Sequence, residues 1–177
     1  MSGASTAERT ATTIVVGLGN PILGDDGAGW LVADAVEAAL AGAGGTEQGA
    51  GLEPVGRVVV VERLAVGGLT LMEHLIGFRR AILVDAVVTG ADPPGTIRRL
   101  PLEALPTGEA GHLDSAHDAT LRTALDAGRA LGADMPIDLE IVTIEAATVL
   151  EIGETLTPAV AAAVPRATDL VLRLLAG

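Results

Sequence analysis

The chain has 177 residues, 49% hydrophobic and 19% charged, and its 23 acids and 11 bases give a formal net charge of −12. That length and composition fit one compact domain, which can bury roughly 70% of its unfolded surface without a staple, and so acidic a surface repels phosphate backbones, against a nucleic-acid partner. The absence of cysteine excludes a disulfide framework, a thiolate zinc site and a cysteine nucleophile.

A single α/β domain over residues 1–177 is expected, with 1–11 as a flexible tail. Glu8 and Arg9 stand where a signal peptide would be apolar, and no apolar stretch reaches the roughly 20 residues that span a membrane. Residues 12–19 (TTIVVGLG) are β-branched and apolar, the pattern of a buried strand. A helix is expected from Asp26 to about Ala43, with Trp30, Leu31, Ala35, Ala39 and Leu40 able to share a face. The Gly-rich run 42–56 reads as a loop. Residues 57–64 read as a second strand, 67–78 as a second helix, and 80–88 as a third strand that is apolar until Asp85. A turn through Asp92, Pro93, Pro94 and Gly95 leads to 96–100, a short edge strand or hairpin partner. After a loop with Pro101 and Pro106, a helix is expected over 115–132, a strand over 138–146 and a helix over 157–176. Pro158 suits that last helix's first turn, whereas Pro165 lies inside it and should kink it.

Strands alternating with helices predict a three-layer α/β/α sandwich with a mostly parallel, twisted sheet. In such sheets ligands sit at the carboxyl ends of the strands, where strand order reverses. That rule selects Asn20 to Asp26 after the first strand and Asp85 to Gly90 in the third. The opening loop lacks the third glycine of a dinucleotide fingerprint, with Ile22 in its place, and the chain has no lysine for a P-loop. Asp25 and Asp26 would also repel a pyrophosphate. One of them can cap the helix; the other is free to face the crevice. Asp85, ending an apolar strand, must be paired, hydrogen-bonded or coordinating a cation.

Of the three histidines, His74 is expected at the surface or a boundary, and His112 is undecided. His117 opens the helix after Ser115. Two aspartates and one histidine make a plausible open site for a borderline divalent ion such as nickel or zinc. Neither His-Glu-x-x-His nor Gly-x-Ser-x-Gly is present.

The chain resembles the maturation endopeptidases of nickel–iron hydrogenases. The resemblance runs through Gly17-Leu-Gly-Asn20-Pro-Ile-Leu-Gly-Asp25-Asp26-Gly-Ala-Gly29, Val84-Asp85-Ala86, Pro94-Gly95-Thr96, Ser115-Ala-His117, Ile144-Glu145 and Gly153-Glu-Thr-Leu156-Thr-Pro158-Ala-Val160. It implies a small cytoplasmic protease, by default a monomer, that removes a C-terminal extension from a hydrogenase large-subunit precursor once nickel is inserted. It implies that nickel, supplied by that substrate and replaceable by other divalent ions, meets Asp26, Asp85 and His117. This chain departs from the family at Glu62 to Gly68, where an Asp-Gly-Gly-Thr-like segment is usual, and at Glu145-Ala146, where many members have Glu-Pro. Val16-Gly-Leu-Gly-Asn-Pro21 also resembles the opening of bacterial peptidyl-tRNA hydrolases, but that family needs a tyrosine and a basic surface, and this chain has neither. An alternative of another class is a non-catalytic nickel-site binding protein or chaperone on the same fold.

Overall fold

Apolar runs without helical period become the strands. In the computed structural model, which describes residues 13–43, 58–65, 68–101, 118–149, 152–153 and 155–177, Thr13–Leu18 forms β1, buried along its whole length. A 3₁₀ turn over Gly24–Gly27 feeds α1, Ala28–Ala43. There follow β2 (Val59–Leu64), α2 (Gly68–Leu75), β3 (Arg80–Val87), β4 (Ile97–Pro101), α3 (Asp118–Ala130), β5 (Asp138–Glu145) and α4 (Pro158–Ala176). The expected tail and most of the 42–56 loop lie outside the described residues.

The strands form one sheet in the order β2-β1-β3-β5-β4. All neighbours are parallel except β4, which runs antiparallel to β5 at the edge, as a short hairpin-like partner would. Because successive side chains point to opposite faces, the sheet builds two cores. Val15, Ile82, Val84 and Val142 pack with α1 and α4 on one face. Ile14, Val16, Leu83 and Ile141 pack with α2 and α3 on the other. This is the three-layer α/β/α sandwich. Strand order reverses between β1 and β3, and the carboxyl ends of these strands are where such sheets bind ligands.

One local expectation needs correction. The buried face of α1 is Ala28, Val32, Ala33 and Val36, while Leu31 is exposed. The cause is close approach: a Cβ at Gly17 would overlap the Gly29 carbonyl and the Ala33 side chain, and one at Gly29 would overlap the Leu18 and Val84 carbonyls. Only the small-residue side of the helix can lie that near the strands. Pro165 lies inside α4, as expected, and the helix runs from Pro158 to Ala176.

Candidate active site

Asp85 sits near the end of β3, opposite Thr143 of β5, and is only 2% exposed. Ala81 and Leu83 belong to the α2/α3 core, and strand alternation puts Asp85 on that same face. The turn after α3 is tied to the start of β3, where Gly77 N–H donates to the Asp134 carbonyl (2.8 Å) and Ile137 N–H to the Arg79 carbonyl (3.0 Å). From that end α3 runs back for about 20 Å at 1.5 Å per residue. Its first residue, Asp118, is thereby carried toward the end of the sheet at which β3 finishes, where Asp85 stands.

The loop after β1 lies over the same end. Gly19 has φ 123°, and a Cβ there would overlap the Asp26 carbonyl, so the turn needs glycine. Asn20 N–H donates to Asp26 Oδ2 (2.6 Å), Ile22 N–H to Asn20 Oδ1 (3.2 Å), and Leu23 N–H to the Asn20 carbonyl (3.0 Å). Asp26 is half-buried beneath this turn.

Asp25 is not a helix cap. Leu23 precedes the 3₁₀ turn without any side-chain cap bond. The Asp25 carboxylate, 1% exposed, instead reaches across to the β5–α4 connection. Oδ1 accepts from Thr157 N–H (2.6 Å), and Oδ2 accepts from Ala147 N–H and the Thr157 hydroxyl (3.0 Å each). Its burial is tolerated because these donors replace water. Gly17 stays inside β1 and serves the contact with α1.

Glu145 carries a positioning duty that sequence reasoning did not assign. It ends β5, buried, and its Oε1 accepts from Thr89 N–H and Gly90 N–H (2.8 Å each), while Oε2 accepts from the Thr89 hydroxyl (2.7 Å). It thus holds the chain that leaves β3 just after Asp85. The signal was available, since Glu145 ends an apolar strand just as Asp85 does.

The structure therefore brings Asp26 and Asp85 to one end of the sheet, at the strand-order reversal. Ser115, His112 and His117 lie outside the described residues, and among the described residues no group of three His, Asp or Glu is arranged to hold a metal ion. His74 is exposed at the surface, one of the two placements expected, with Nδ1 2.7 Å from Glu62 Oε2. That contact places Glu62, in the departing 62–68 segment, against α2. Chemically, carboxylates delivered to the same end of a sheet can receive a cation or orient a polar group, and low dielectric strengthens both.

The profile of the hydrogenase maturation protease family (HycI) matches residues 52–174. That span includes Asp85 and His117, and the opening loop precedes it. Among solved structures, the chain is similar to the hydrogenase maturating endopeptidase HybD from E. coli, with 28% identity, TM-score 0.69, and 93% of this chain and 91% of that one covered. It is also similar to an endopeptidase from Escherichia coli, with 25% identity, TM-score 0.69 and the same coverage of 93% and 91%. The HybD [NiFe] hydrogenase maturation protease from Thermococcus kodakarensis, at 22% identity and TM-score 0.61 over 93% of this chain and 99% of that one, shares the fold. No curated protein sequence matches the chain.

Proposed function

The chain belongs to the hydrogenase maturation protease family and is a peptidase, and from that premise we propose that it removes the C-terminal extension of a nickel–iron hydrogenase large-subunit precursor after nickel insertion. In this reading Asp26, Asp85 and His117 meet the nickel that the precursor carries. The observation that supports it most is the delivery of Asp85 and the Asp26 loop to one end of the sheet, from elements far apart in sequence. A carboxylate buried at a crevice rim attracts a divalent cation more strongly than one in water.

Nickel is cargo here. Its presence tests that the precursor is loaded, and it can polarise a carbonyl or a water beside the bond to be cut. The protein supplies the carboxylates in fixed positions. Asp25 pins the loop that bears Asp26, and Glu145 pins the chain that leaves Asp85.

Incubation with a purified nickel-loaded large-subunit precursor, followed by mass measurement, tests the proposal. Loss of a C-terminal peptide is the expected result; binding with an unchanged mass would favour the chaperone reading instead. Asp26→Asn, Asp85→Asn and His117→Ala are each expected to abolish processing without unfolding the protein, and His74→Ala is expected to leave it unchanged. Normal processing by Asp85→Asn would overturn the site assignment.

A further inference from the structure

Two short connections meet beside the Asp26 turn. Leu23 pairs with Gly153 in an isolated parallel bridge. Gly24 N–H donates to the Gly153 carbonyl (2.6 Å) and Gly153 N–H to the Ile22 carbonyl (3.0 Å). Ile22 and Ile152 each stand one residue before a bridge partner, so they are neighbours across this two-stranded ledge. Both face water: Ile22 is 55% exposed and Ile152 is 89% exposed.

Single exposed aliphatics are ordinary. These two differ in being side by side, with Ile22 on a turn held by several hydrogen bonds and Ile152 next to the bridge that joins it. Asn20 accepts the Ile22 amide, Asp26 accepts the Asn20 amide, and Asp25 ties the same loop to Ala147 and Thr157. A pre-ordered apolar pair loses little freedom when a partner covers it. Among the described residues, the other aliphatics at least as exposed as Ile22 are Val58, Leu131 and Ile137; they lie near where β2 and β5 begin, at the opposite end of the sheet from Asp85.

We propose that Ile22 and Ile152 form the apolar anchor on which the precursor polypeptide docks, gripping an apolar side chain of the segment next to the bond that is cut. The inference rests on the protease reading above. A precursor that presents nickel to Asp26 must cross the rim on which this ledge stands, because the ledge and the carboxylate share the one turn from Asn20 to Asp26. Interfaces of this kind draw most of their affinity from a few well-packed apolar anchors. The ledge therefore sets which precursor is held, while Asp26 and Asp85 test whether it is loaded.

The experiment compares the full-length wild type with an Ile22→Ser, Ile152→Ser double variant on one purified nickel-loaded precursor, reading cleavage by mass and binding by titration. The double variant is expected to raise KM and Kd roughly tenfold, the loss of an ordinary anchor, with kcat within about twofold of wild type. Its thermal midpoint should be unchanged. Ile22→Val, Ile152→Val, which keeps the surface apolar, should retain wild-type KM, as should Leu131→Ser, Ile137→Ser. Unchanged KM and Kd in the folded serine variant would overturn the ledge and leave the protease reading standing. A wild type that binds the precursor without cutting it would overturn the protease reading, and Kd would still decide the ledge. If the wild type neither binds nor cuts, both are overturned.

Discussion

Asp25 and Asp26 are identical neighbours that the fold uses differently. Asp26 stays within its own turn and accepts from Asn20, whereas Asp25 is a buried tie between two connections. Asp25→Ala would leave the amides of Ala147 and Thr157 without their acceptor. A cost of about 3 kcal/mol is expected, because an unsatisfied buried donor loses its full desolvation penalty; urea unfolding measures it. Thr157→Val removes only the hydroxyl bond and should cost about 1 kcal/mol. Equal, negligible losses in both variants would refute the tie. Glycines in α1 give a second contrast. Gly29→Ala drives a methyl into the Leu18 and Val84 carbonyls and should cost roughly 3 kcal/mol or more. Gly42→Ala in the same helix meets nothing nearby and should stabilise by roughly 0.5–1 kcal/mol. Thermal melts of the two variants should move in opposite directions.

Among the elements, β4 is the one held mainly by its edge. It pairs only with β5, and Arg99 forks onto Glu140 across that pair, with Nε to Oε2 at 2.8 Å. The guanidinium holds the Glu140 carboxyl below its ordinary value. A depressed carboxyl contributes stability that is present above its unfolded pKa and is lost as pH falls through the folded value. Wild type should therefore exceed Glu140→Gln by no more than about 1 kcal/mol at neutral pH, since the arginine is largely solvated. The gap should close below about pH 4, starting from the unfolded carboxyl's ordinary value. Urea unfolding at pH 7 and pH 3 decides it, and a gap that widened in acid would reverse the assignment. The edge position of 96–100 could be read from its proline-bounded shortness. The face of α1 could not, because an alanine-rich helix has apolar residues on several sides; the Gly17 contact selects among them.

Across the whole molecule, what was legible in sequence is what is local. Continuous apolar runs marked β1 and β3 because strands of a parallel sheet are buried on both faces, and Asp85 stood out by ending one. Partners distant in sequence were not legible: Asp25 meets Ala147 and Thr157 at separations of 122 and 132 residues. Ile22 and Ile152 become neighbours only through the Leu23–Gly153 bridge. His117 was joined to the aspartates by residue type and then by family resemblance, and it lies outside the described residues. The resulting molecule has one end that carries the proposed site and one that closes turns, which amide exchange can separate. In the free protein β3, paired on both sides, should exchange slowest, and the edge strands β2 and β4 should open first. Adding a nickel-loaded precursor should slow exchange at 19–27, 88–91 and 152–153, where the connections tied by Asp25, Asp26 and Glu145 converge. The turns 76–79 and 131–137 at the opposite end should be unaffected. Protection confined to those turns would move the docking surface to the wrong end of the sheet and overturn both the site and the ledge.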